Sequence, residues 1–324
     1  MSPWKRFSFI VWGAILVSLI PAATQAITVS PVLFDFDIQP GSSQQAKITV
    51  VNDSNETQSF TLHTQNFIAS GEEGSQEYLQ EEQPSDLASW VIPDQPTIQI
   101  DPGASRDFPF LISVPEHADP GGHYATIFFT RAPGASGESG VGIAEQVGVL
   151  LLVNVPGDIV ESIEVDSFRV KHAVVNRLPA EFEFRLRNLG SVHERPKGTL
   201  VIRNILGSVV ARVPGNPNKS AILPNSVRRI DSGWAHTLDI PEDRGFWAET
   251  KNEWKNFAIG RYTASIDMTY GSNNVQIPVH TVSFWVLPWH LMLLALLGLV
   301  GIVLLIMLYN NLLVRAALKK SQAS

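Results

Sequence analysis

The chain has 324 residues, no cysteine and a formal net charge of −7 from 24 basic and 31 acidic side chains. Such a length predicts two domains in the body between its apolar ends. Without cysteine there is no thiol catalysis, Cys-based zinc or disulfide, and the acidic balance argues against nucleic acid, whose phosphates are bound by neutralising Lys and Arg.

At the N-terminus, Lys5 and Arg6 precede an apolar run from Phe7 to Ile20, then Pro21 and small residues up to Ala26. Residues 1–26 therefore read as a secretory signal peptide, cleaved after Ala26 or kept as an anchor, and the body is exported either way.

Strand signals follow at short spacing. Val29 to Phe36, Ala46 to Val51 and Ser59 to Gln65 come first, with Asp35 and Asp37 flanking Phe36 on one strand face. Paired carboxylates there could hold a cation or act on a sugar, or form a solvated face. Trp90 ends a run that suggests one helical turn with its indole in the core. Phe108, Phe110, Ile112 and Val114 alternate with Asp107, Pro109, Leu111 and Ser113, so one face is buried. His123 to Arg131, Val147 to Val155, Ile159 to Val170, Thr199 to Arg203 and Gln276 to Trp285 are further candidates. The series Phe182/Phe184/Leu186 and Tyr262/Ala264/Ile266/Met268/Tyr270 repeat the period-two pattern of antiparallel strands. Turn residues such as Pro40-Gly41, Asp101-Pro102-Gly103 and Pro120-Gly121 separate them. The Gly/Ser-rich stretch Pro133 to Gly142 reads as a flexible hairpin loop.

The expected fold is all-β: two tandem Ig-like β-sandwich domains, residues 27–156 and 157–284, with a boundary near Pro156-Gly157-Asp158. Pro241 to Ala258 breaks the pattern. Trp247 and Trp254 lie two helical turns apart there, which predicts an amphipathic helix that plugs the sandwich end with its aromatic face, or else an exposed aromatic contact site. From Leu287 to Leu308 the sequence is apolar and uncharged, with Trp285, Trp289 and Tyr309 at its ends and Arg315, Lys319 and Lys320 beyond. That makes residues 285–309 a transmembrane α-helix into the lipid bilayer and 310–324 a short basic cytoplasmic tail.

Val29-Ser30-Pro31, Pro40-Gly41, Val51-Asn52-Asp53-Ser54, Leu87-Ala88-Ser89-Trp90 and Val114-Pro115 leading to Pro120-Gly121-Gly122-His123-Tyr124 together resemble the peptidoglycan-binding domain of WxL-interacting proteins of Gram-positive cell surfaces. Asn188-Leu189-Gly190, Leu223-Pro224-Asn225-Ser226 and Gly260-Arg261-Tyr262 are similar to the Ig-like domain that follows it in that family. The resemblance implies peptidoglycan or another cell-wall glycan, and exported WxL-type surface proteins, as partners.

Motifs for a nucleophile elbow, phosphate loop, metalloprotease helix or EF-hand are missing from the body, so no catalytic residue, cofactor or metal is expected. Glu116, His117, Asp119 and His123 form the densest set of potential ligands, in what reads as a solvated turn. The candidate binding residues are His123, Tyr124, His193, Trp234, Trp247 and Trp254, since glycan contacts use aromatic faces with polar neighbours. The leading expectation is a membrane-anchored cell-surface binding or scaffold protein. The alternatives are a glycan-acting surface enzyme and an assembly factor that offers a sheet edge to exported β-rich subunits.

Overall fold

The computed structural model describes residues 27–80, 86–131, 146–236 and 245–322. The signal-peptide region, the loop Pro133 to Gly142 and the start of the Pro241 segment lie outside the described residues. Contacts divide the chain into two units. The first takes the described residues up to Phe67 and Tyr78–Gly157, and the second takes Ile68–Glu77 with the described residues from Asp158 onward.

In the first unit, β1 (Ile27–Ser30), β3 (Ser43–Asn52), β8 (Ser105–Ser113) and β6 (Val91–Pro93) form one sheet in the order β1-β3-β8-β6. The facing sheet orders β2 (Leu33–Asp37), β10 (Gln146–Val155), β9 (Gly121–Arg131), β4 (Gln58–Ser70) and β5 (Ser75–Tyr78), with β7 (Thr97–Ile100) beside β4, and of these Ile68–Ser70 and Ser75–Glu77 count with the second unit. Phe108, Phe110 and Ile112 of β8 meet Ile127 and Phe129 of β9 and Val149, Leu151 and Val153 of β10 in the core. This is the period-two burial that the sequence predicts. The stretch read as one strand from Val29 to Phe36 is two. Pro31 has no N–H to continue a ladder, and the chain crosses at that point from the first sheet to the second. There β2 runs parallel to β10, a pairing that a pattern of alternation cannot announce. Asp35 and Asp37 are exposed, and Asn154 Nδ2 donates to Asp37 Oδ1 at 2.8 Å.

A single helical turn, α1 (Leu87–Trp90), carries the Trp90 indole into the same core. Asn66 holds that turn, its Oδ1 accepting from Ala88 N–H at 2.8 Å.

The second unit repeats the architecture. One sheet is β11 (Ile163–Val170), β13 (Ala180–Asn188) and β16 (Val227–Trp234), in that order. The other orders β12 (Val174–Val175), β19 (Thr281–Val286), β17 (Gly260–Tyr270), β14 (Lys197–Asn204) and β15 (Val209–Pro214), with β18 (Val275–Gln276) beside β17. Phe182, Phe184 and Leu186 face Leu200, Ile202, Ala264, Ile266 and Phe284 in its core. β16 escaped the sequence reading because Arg228, Arg229 and Asp231 mask the alternation of Ile230, Ser232 and Trp234.

Two helices complete the unit: α2 (Phe246–Lys255) and α3 (Trp289–Gln322). The apolar helix starts at Trp289 and not at Trp285, because Trp285 and Val286 are ladder residues of β19 paired with Arg261 and Gly260. Over Trp289–Arg315 α3 is long and apolar enough to cross a membrane, and its most apolar window of 18 residues is not buried in the protein.

Candidate functional site

Two surfaces stand out, one in each unit. The first is the flank of β10. Leu150 N–H donates to Val32 C=O at 3.0 Å, and Asn154 C=O accepts from Ile38 N–H at 3.0 Å. Backbone groups alternate sides along a strand, so the N–H and C=O of Gln146 and Gly148 point to the same flank as those of Leu150 and Asn154. The β2 ladder starts only at Leu33, opposite Leu150, and no described strand pairs with Gln146–Val149 on that side. On its other side the segment is fully laddered to β9, from Gln146↔Thr130 to Val149↔Ile127. The result is a half-strand laddered on one side and, among the described residues, without a strand partner on the other.

On the other side of β10 from this edge, the outward face of β9, β4 and β5 carries an aromatic cluster in which Phe67 and Phe128 are buried. His63 stacks on Phe128 with ring centres 5.0 Å apart, Tyr78 meets Phe128 edge-on at 5.1 Å, and Phe67 lies 6.2 Å from Tyr78 and 6.0 Å from Tyr124. Gly148 is required here: a Cβ would come within 2.7 Å of Thr126 Cγ2 and 3.1 Å of the Phe128 ring.

His123 and Tyr124 sit on β9 in this unit. His123 Nε2 lies 2.9 Å from Asp119 C=O, with its ring 4.5 Å from that of Trp90, so it ties the turn to α1. Tyr124 belongs to the aromatic face. Among the described residues no group of three or more His, Asp or Glu is placed to hold a metal ion.

The other four candidates lie in the second unit and do not converge. Trp234 corrects the expectation of a contact residue: it is 1% exposed, packed against Tyr262 at 4.9 Å and Phe284 at 6.1 Å, and offers no face to a ligand. His193 is half-buried next to Glu194. Burial holds the Glu194 carboxyl above its ordinary range, the Gly271 N–H at 2.9 Å pulls it back, and Glu161 pushes the same way as burial. A folded value above the unfolded one means that ionising Glu194 costs stability. The cost sets in as pH rises through the ordinary carboxylate range and is complete above the folded value. Glu194→Gln keeps an acceptor for Gly271 and is expected to raise the Tm at pH 7. Thermal melts at about pH 4 should show the advantage shrinking.

Trp247 and Trp254 are 73% and 74% exposed on α2. The plug reading is corrected: α2 turns Glu249, Asn252 and Glu253 inward and its indoles outward. Asn256 Nδ2 donates to Asn252 Oδ1 at 2.9 Å, and Arg177 pairs with Glu249. Glu253 reaches the start of α3, where its carboxylate accepts from Leu291 N–H at 2.9 Å and lies 2.6 Å from His290 Nδ1. An acidic group at a helix N-terminus satisfies unpaired N–H groups and suits the helix dipole. The sequence showed the two faces of α2 and not which one is buried.

No family model matches the chain, and no curated protein matches it. Similar solved structures include a chaperone–tip adhesin complex of CFA/I fimbriae biogenesis, at 12% identity over 80% of this chain and 98% of that one, with a TM-score of 0.39. The class 5 fimbriae chaperone CfaA is 11% identical over 81% of this chain and 100% of its own, with a TM-score of 0.36. The CsuC–CsuE pre-assembly complex from archaic chaperone-usher pili of Acinetobacter baumannii is 11% identical over 80% and 98%, with a TM-score of 0.34. At these identities and TM-scores the likeness assigns the chain to no family.

Proposed function

We propose that the chain is a membrane-anchored, non-catalytic assembly factor that holds exported β-rich polypeptides by strand addition. Its body stands on the extracytoplasmic side, with the basic end of α3 inside. The observation that carries this reading is the open flank of β10 at Gln146–Val149, a half-strand already fixed by β9 and continued by β2. An extended segment laid against it would take up the backbone groups of Gln146 and Gly148. Main-chain bonds give such an edge affinity for β-prone chains with little demand on sequence, which suits a holder of several subunits better than a receptor for one.

Gln146→Pro tests this. Gln146 is exposed and begins its strand, so proline removes an N–H from the open flank and leaves the β9 ladder in place. Losing one bond and crowding the edge is expected to weaken capture of an exported β-rich subunit by the full-length protein about tenfold, roughly 1.4 kcal/mol, with the Tm unchanged. Equal capture by the variant refutes strand addition here. A full-length chain that sediments with purified peptidoglycan and captures no such subunit decides instead for the glycan ligand implied by the WxL-interacting resemblance.

A further inference from the structure

The junction of α2 with α3 holds a groove of about 810 Å³ lined by Trp247, Trp254, Phe257 and Ile259 on one side and Leu291 and Ala295 on the other. Large aromatics so exposed on a polar protein body mark an interaction surface, and here the polar residues of the same helix are the buried ones. One wall of the groove is the first two turns of the membrane-crossing helix itself. Trp289 at one end and Tyr309, Asn310 and Asn311 at the other bracket an uncharged run from Leu291 to Leu308. At 1.5 Å per residue it spans about 27 Å, close to a hydrocarbon core of about 30 Å. Leu291 and Ala295 therefore lie within roughly the first 6 Å of that core. Interfacial helices sit about 5–10 Å into the same boundary. Glu253, bonded to His290 and Leu291, fixes α2 at that depth. Lys251 lines the groove beside the apolar residues and suits a phosphate.

We propose that α2 is an interfacial helix and that the groove takes a bilayer phospholipid, its acyl chains against Trp247, Trp254, Phe257 and Leu291 and its phosphate at Lys251. The bilayer thereby grips the second unit at two places, through α3 and through α2, so that this unit is held at a fixed tilt instead of swinging on a single tether. The proposal rests on α3 crossing the bilayer and is independent of strand addition at β10.

The chain has no cysteine, so single-cysteine variants report one position each. Trp247→Cys, Trp254→Cys and, as a control in the exposed β14–β15 turn, Ser208→Cys would be made in the full-length protein and reconstituted in phosphatidylethanolamine/phosphatidylglycerol vesicles. Labelling by a membrane-impermeant maleimide is expected to be at least about tenfold slower at 247 and 254 than at 208. A fluorophore placed at 254 should be quenched by lipid brominated near the headgroup end of its chains. If both sites label as fast as 208 while the protein stays with the vesicles through an alkaline carbonate wash, the groove faces water and the proposal is wrong although the span stands. Protection without bromolipid quenching would put a second copy of the chain in the groove and equally overturn it. Lys251→Glu, which leaves the apolar walls intact, should reduce quenching in the phosphatidylglycerol vesicles; unchanged quenching there removes the phosphate from the assignment.

Discussion

Asn188→Leu is expected to destabilise the second unit by about 4 kcal/mol, a large share of the 5–15 kcal/mol that usually separates folded from unfolded domains. Asn188 closes β13 and is fully buried. Its Nδ2 donates to Val192 C=O at 2.7 Å and to Ile222 C=O at 2.8 Å, and its Oδ1 accepts from Gly190 N–H at 2.8 Å. One side chain thus serves three backbone groups from two loops; with leucine of similar size Ile222 C=O keeps the bond it accepts from Glu194 N–H at 3.0 Å, while the buried Val192 carbonyl and Gly190 N–H lose their partner. The first unit uses the same device. Asn52 closes β3, its Nδ2 donates to Glu56 C=O at 2.8 Å and Ile100 C=O at 2.9 Å, and its Oδ1 accepts from Ser54 N–H at 3.0 Å. Asn52→Leu should cost a comparable amount. Urea unfolding of the full-length protein separates the two, with buried Trp90 reporting the first unit and buried Trp234 the second. At a slope of about 2 kcal/mol per molar urea, each midpoint should fall by roughly 2 M in its own unit. A loss below about 1 kcal/mol at both positions would mean that the loops hold themselves.

Glu253→Leu should have the next largest effect, about 3 kcal/mol, on the docking of α2 to α3. The Glu253 residue is 1% exposed, and its carboxylate is the acceptor for Leu291 N–H and the partner of His290 Nδ1. Leucine fills the space and strands both, together with the positive end of the helix dipole. Hydrogen exchange in detergent or nanodiscs is the direct measurement: the amides of His290 and Leu291 should exchange about a hundredfold faster, and α2 should become sensitive to protease. Glu253→Gln retains an acceptor oxygen and should fall between the two. Wild-type exchange rates in Glu253→Leu would show that α2 is held by Asn252, Asn256 and the Arg177–Glu249 pair alone.

Asn52 and Asn188 each directly follow a stretch read as a strand, so their position at a strand end was legible. That each side chain gathers backbone groups from a second, distant loop was not, because Ile100 and Ile222 are separated from Asn52 and Asn188 by 48 and 34 residues. The open flank of β10 was hidden for the same reason. It depends on where β2 begins beside it, across 117 residues of chain in the Asp37–Asn154 pair.

Local order was written in the sequence: strand faces through period-two alternation, the turns through glycine and proline, and the long apolar helix through an uncharged apolar run. These are properties of neighbouring residues, and each follows from which side chains water rejects. The tertiary structure decided strand partners and direction, since backbone pairing joins groups far apart in the chain and leaves no periodic trace. It also decided the sense of α2. Amphipathic spacing shows that Trp247 and Trp254 share a face but carries no sign of the medium that face meets, and only the adjoining α3 sets the buried side as the polar one and turns the indoles outward.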